Sequence, residues 1–247
     1  MLALIAFNYE IGRVRGVVSE PMLGQIRLQW WREALDGIYA GSPRSHDVVL
    51  ALNEAIARYS LSRELFDIMI DTREQDLDDT PPEDLPALMR YVAGTAGALN
   101  QLMLEVTQRD DVSLRHAAAD IGAAWGLVGL LRAIPSLAAQ GRVLLPATLL
   151  ADAGLSSADV VSGKGRDGVL PVIVAIAREA GRIVGEPTSG SRKLPHQARA
   201  PFLAAPLARY YLGRLKATGH NPWDNRVSGN PLGRLRALGM ARLRGRY

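Results

Sequence analysis

A chain of 247 residues with 48% hydrophobic and 22% charged side chains can bury a sizeable core within one domain. It has no cysteine, which excludes disulfides, thiolate metal sites and cysteine nucleophiles; its four histidines, His46, His116, His196 and His220, are scattered without metal-ligand spacing. The formal charge of +4 hides an asymmetry, because from residue 190 onward twelve Lys and Arg residues stand against a single acid, Asp224. Such a surplus is drawn to anionic lipid or an acidic protein face, with a solvated Arg-rich surface as the plain alternative. Nucleic acid is not expected as a partner, since no helix-turn-helix, finger or aromatic-studded sheet pattern accompanies the charge.

In chain order, Met1 to Phe7 is apolar without a basic flank and reads as the opening of a helix, not as a signal peptide. Its stripe is Leu4, Phe7, Ile11, Val14 and Val18. Ser19, Glu20 and Pro21 then start a second helix, with Leu23, Ile26, Trp30, Trp31, Leu35 and Ile38, which stops near Gly41 and Pro43. Val48, Leu52, Ile56 and Tyr59 make a third helix, and Leu65, Ile68, Met69 and Thr72 a fourth.

After a break at Asp79 to Pro82, one helix is expected through Leu88, Tyr91, Thr95, Leu99 and Val106. The next runs from Val112 to Arg132, and its Gly122, Gly126 and Gly129 each cost roughly 1 kcal/mol against alanine. Three such glycines call for a packing or cavity reason. Gln140 to Pro146 is a loop, Gly154 to Gly168 a turn-rich connection, Val169 to Val184 a helix and Glu186 to Pro195 a loop. Ala200 to Lys216 and a basic segment from Pro231 to Arg244 complete the helices. No run reaches the ~20 consecutive apolar residues of a membrane span, so the chain is expected to be soluble or peripheral. No strand alternation or repeat occurs, and the pattern predicts one all-α domain over residues 1–247, of about eight helices.

Four segments, in order, resemble the squalene/phytoene synthase superfamily. Leu28 to Asp36 (LQWWREALD) is similar to its W-R-x-x-L-D helix, and Leu65 to Leu77 (LFDIMIDTREQDL) to its L-I-x-x-R-x-x-D-L helix, with Arg73 and Asp76 in place. Tyr91 to Leu99 (YVAGTAGAL) resembles its Y-x-x-x-x-A-G-x-V-G-x-L element. Leu130-Leu131-Arg132 followed by Gly141-Arg142-Val143-Leu144-Leu145-Pro146 matches the frame of N-x-L-R-D…G-R-x-Y-L-P. The resemblance implies a single-domain helical bundle of the isoprenoid synthase type around a central cavity. Enzymes of this kind join two prenyl diphosphates head to head, using magnesium ions held by two facing Asp-rich segments. Magnesium is a hard cation that takes oxygen ligands, and a departing diphosphate needs strong compensation of its charge.

The likeness fails where those aspartates belong. The first segment reads Gly12, Arg13 and Gly16, and the second has Gly129, Ala133 and Leu137 in place of Asn, Asp and Asp. Asp71, Glu74 and Asp78 have the spacing to hold a cation, but as residues at a helix end they are read as capping groups and ion-pair partners. The expectation is therefore a pseudoenzyme with no catalytic residue, no metal ligand and no cofactor; magnesium would be needed only if prenyl transfer survived. Within the superfamily, Ala6-Phe7-Asn8, Val17 to Glu20, Ile26 to Trp31, Asp36 to Tyr39 and Leu131-Arg132-Ala133-Ile134-Pro135 look most like the respiratory complex I assembly factor branch.

That likeness implies a helper for a respiratory membrane complex, with a complex subunit as partner and the basic C-terminal part, residues 190–247, on an anionic membrane. The implied location is bacterial, cytoplasmic or peripheral on the inner membrane, with mitochondrial counterparts in eukaryotes. An isoprenoid or lipid ligand is the alternative, the cavity residues available to it being Arg73, Asp76, Tyr91, Arg132 and Arg142. Arg132 has a second possible use, as an internal partner of Asp71 or Asp76.

Overall fold

The computed structural model describes residues 1–108, 111–185 and 199–244. All regular structure among them is helical: α1 (Leu2–Gly12), α2 (Val14–Val17), α3 (Pro21–Tyr39), α4 (Asp47–Tyr59), α5 (Arg63–Glu74), α6 (Leu85–Val92), α7 (Ala98–Glu105), α8 (Val112–Ala139), α9 (Ala147–Asp152), α10 (Ser157–Val161), α11 (Leu170–Gly185), α12 (Ala204–Ala217) and α13 (Pro231–Arg244). The count exceeds the expected eight because short helices fill what reads as turn. One is α10, held by a reciprocal capping box between Ser156 and Asp159. The loop expected over Glu186 to Pro195, with Arg192 and Lys193, lies outside the described residues, as do His196 and Arg246.

Two buried clusters form the interior. The first gathers Leu4, Phe7 and Ile11 of α1, Leu28, Trp31 and Leu35 of α3, Leu52 of α4, Phe66, Met69 and Ile70 of α5, and Ala98 and Leu102 of α7. These recur three or four residues apart, so each helix turns one face inward. Phe7 sits at its centre, edge-on to Trp31 at 5.4 Å and Phe66 at 5.3 Å; such pairs add about 0.5–1.5 kcal/mol each beyond the area they bury. The second cluster is built on α8, with Leu88 and Val92 of α6, Ile173 and Ile176 of α11, and Phe202 and Tyr211 around it.

The helix expected through residues 88–106 is interrupted. Between α6 and α7 the backbone widens into a π turn, Ala93–Gly97. A Cβ on Gly94 would run into the Thr72 hydroxyl, and one on Gly122 would meet the Ala96 carbonyl and lie 2.7 Å from the Asn100 Cβ. The glycines of α8 therefore divide by purpose. Gly122 and Gly126 let α8 cross the π turn almost backbone to backbone, whereas nothing lies within 4 Å of a Cβ at Gly129.

Two further expectations are corrected. The first helix breaks at Arg13 instead of running on to Val18. The helix expected to end at Arg132 continues through Pro135 to Ala139, and by length and composition it is apolar enough to cross a membrane. Half of its apolar window is buried in the protein, where it packs on α6, α7, α11 and α12, the position of a central core helix. Its charges, Arg115, Asp120 and Arg132, interrupt the strictly apolar runs that a linear reading seeks.

Candidate functional site

The polar centre of the bundle is organised around Asp76. This residue sits on a 3₁₀ turn, Gln75–Leu77, that continues α5, which turns its carboxylate inward to 6% exposure among the core residues. Arg73, one turn back on α5, donates from Nη1 to Asp76 Oδ2 at 3.0 Å and to the Tyr91 hydroxyl at 2.6 Å. Tyr91, on α6, donates in turn to Asp76 Oδ1 at 2.9 Å. Arg142 reaches in from the loop after α8, where Gly141 takes φ 74° to turn the chain. Its Nη2 lies 3.5 Å from Asp76 Oδ1 and donates to the Asp76 carbonyl at 3.3 Å.

One carboxylate thus serves two guanidiniums, bridged by a phenol. Burial pushes the Tyr91 phenol well above its ordinary value, with Asp76 adding to the rise while Arg73 and Arg142 oppose it. The phenol therefore stays neutral and able to donate. For Arg73, burial works against the charge, but Tyr91 and Asp76 outweigh it and its pKa is raised. The guanidinium also leans over the Tyr91 ring, 5.6 Å from its centroid, and its Nη2 lies 3.4 Å from where a Gly12 Cβ would stand. Gly12, which the resemblance set against the first Asp-rich segment, therefore faces a fixed cation.

Four of the five expected cavity residues, Arg73, Asp76, Tyr91 and Arg142, come together in this network; Arg132 takes neither of the carboxylates it was matched with. Its guanidinium carbon lies over the Tyr211 ring of α12, 3.9 Å from the centroid, and its buried Nε has no hydrogen-bond partner. Asp71 is instead bound by Arg32 of α3 at 2.6 Å, and the same guanidinium holds Glu74 at 2.9 Å. Arg15 takes both oxygens of Asp79 at 2.9 Å. The acidic end of α5 is thus a set of ties to α2 and α3. Among the described residues no group of three or more His, Asp or Glu side chains is placed to hold a metal ion.

Leu137, which the resemblance set against the second Asp-rich segment, lines a small apolar hollow with Leu130, Ile134, Arg142, Val143, Leu145 and Val160, with room for about one water molecule. Tyr211 as the seat of Arg132 was not foreseen. The signal available was an aromatic pair, Tyr210 and Tyr211, in a helix otherwise short of aromatics.

The sequence pattern of the family described as squalene/phytoene synthase matches residues 1–236. The mouse (Mus musculus) protein named NADH dehydrogenase (ubiquinone) complex I, assembly factor 6, is 32% identical over 214 residues, which are 87% of this chain and 64% of that protein. The chain thus spans just under two thirds of that relative's length. The chloroplastic phytoene synthase of Narcissus pseudonarcissus is 28% identical over 222 residues, 87% of this chain and 52% of the synthase. Among solved structures, squalene synthase HpnC from Alicyclobacillus acidocaldarius superposes with a TM-score of 0.77 at 20% identity, covering 90% of this chain and 83% of that one. The likeness is one of fold, an all-helical isoprenoid-synthase-type bundle. With its sequence matched almost end to end, the chain belongs to the squalene/phytoene synthase family.

Proposed function

We propose that this chain is a non-catalytic member of its family that assists assembly of a respiratory membrane complex of the complex I type, working from the membrane surface. The observation that carries the reading is the donor set at the positions that the resemblance sets against the enzymes' two Asp-rich segments. Gly12, Arg13 and Gly16 on one side and Gly129, Ala133 and Leu137 on the other offer no side-chain oxygen. The nearest buried carboxylate, Asp76, is engaged by Arg73, Tyr91 and Arg142. A magnesium cluster needs several free oxygen ligands, and a fixed guanidinium beside Gly12 opposes cations, so these residues do not fit the ion. The 32% identity with proteins named as complex I assembly factors supports the second half of the reading.

Deleting the gene and measuring assembled complex I on native gels tests it directly. Loss of the complex, restored by the wild-type gene, is the expected result; a normal complex overturns the assembly role. Purified protein with magnesium and farnesyl or geranylgeranyl diphosphate is expected to release no pyrophosphate, and turnover would overturn the non-catalytic half. A second reading, binding of an isoprenoid or lipid with an anionic head, is supported by two half-buried guanidiniums, Arg73 and Arg142, sharing the single carboxylate of Asp76 and by the unpartnered Nε of Arg132. Mass spectrometry of the purified protein would detect such a lipid, and a clean preparation removes this reading.

A further inference from the structure

The last helix carries an outer face that the described residues leave uncovered. α13 is anchored to α12 on one side only: Gly233 packs against the Tyr210 ring, the Tyr210 hydroxyl accepts from the Asn230 N–H at 3.2 Å, and Ala241 is buried. No side chain larger than hydrogen fits at Gly233 without displacing Tyr210, so this contact fixes the rotation of the helix about its axis. On the opposite side stand Leu232, Leu235 and Leu243, which are 78%, 65% and 83% exposed. At 3.6 residues per turn they fall within an arc of about 80°, with Gly239 between them. Arg236 and Arg242, both exposed, lie just beyond the two borders of that arc.

The helix contains no acidic residue, and the single acid of the C-terminal part, Asp224, is already bound by Arg226 at 2.7 Å. A large apolar stripe, edged on both sides by uncompensated arginines and held outward by its anchor, suits the boundary of an anionic bilayer. Leucines enter the acyl region while guanidiniums meet the headgroups. We infer that the Leu232–Leu235–Leu243 face of α13 is the docking surface for an anionic lipid bilayer. The inference rests on the membrane-surface location in the proposed function and gives it a specific contact.

The test is co-sedimentation of the full chain with vesicles of phosphatidylcholine alone and of phosphatidylcholine with phosphatidylglycerol. Binding is expected to the anionic vesicles, weakening with salt, and not to the neutral ones. The triple variant Leu232→Ser, Leu235→Ser, Leu243→Ser is expected to lose roughly tenfold or more in partitioning with its melting curve unchanged. Each of Arg236→Gln and Arg242→Gln is expected to lose about fivefold. Failure of the wild type to bind anionic vesicles, equal binding to neutral ones, or full binding by the triple variant overturns the inference. A protein that binds these vesicles from a strain whose complex I is normal after deletion would remove the assembly role and leave the docking face standing.

Discussion

Replacing Asp76 by alanine tests whether this carboxylate is the counter-charge of the polar centre. The side chain accepts from Arg73 at 3.0 Å and from Tyr91 at 2.9 Å, and pairs with Arg142 at 3.5 Å. Its side chain is 8% exposed and those of the two arginines 18% and 16%, so little water is at hand to replace it. Breaking a buried pair from one side costs about 3–5 kcal/mol, because the remaining charge stays buried. For a domain of this size each kcal/mol moves Tm by about 2–4 °C, so a fall of roughly 6–20 °C is expected. Thermal and urea unfolding followed by circular dichroism would measure it. The double variant Arg73→Met with Asp76→Leu should lose less than Asp76→Ala alone, since it removes a charge together with its partner. An Asp76→Ala protein within about 1 kcal/mol of wild type would refute the reasoning.

Two further outcomes follow from the same geometry. Gly129→Ala should raise stability by about 0.5–1 kcal/mol because the site is an open helical position, whereas Gly122→Ala should lower it by about 1–3 kcal/mol or more by forcing α8 off the π turn. Equal effects in urea melts would remove the distinction between them. At high pH, Tyr91 and Tyr39 should both make the fold weaker. Burial raises Tyr91 above the ordinary 10.0 and pushes Tyr39 up to about 12. The unfolded chain therefore loses these protons first, and the stability present below pH 10 falls as pH rises beyond it. Urea midpoints measured between about pH 8 and pH 11 should fall less steeply in Tyr91→Phe than in wild type; an unchanged slope would exclude Tyr91 as a source.

The sequence by itself determined the all-helical class and the family frame. Helical periodicity is a property of residues three or four apart, and a motif keeps its spacing whether or not the chain is folded. Trp31, Leu35 and Ile38 were legible as an inward face without knowing what they pack on, whereas Leu23 and Ile26 of the same expected stripe are exposed and Leu28, outside it, is buried. Arg73, Asp76 and Tyr91 could be singled out for the same reason, as all three stand inside segments that resemble the family frame.

Pairings across the fold were decided only by the tertiary structure. Arg132 had Asp71 and Asp76 as plausible partners on charge alone, yet Arg32 was delivered to Asp71 from 39 residues away, and the ring of Tyr211 came to Arg132 from another helix. The π turn at Ala93–Gly97 and the continuation of α8 through Pro135 were equally hidden. Each depends on how closely two helices approach, which local propensity does not encode. The same holds for α13. Its leucines and arginines are plain in the sequence, but which side faces outward was decided by the contact of Gly233 with Tyr210.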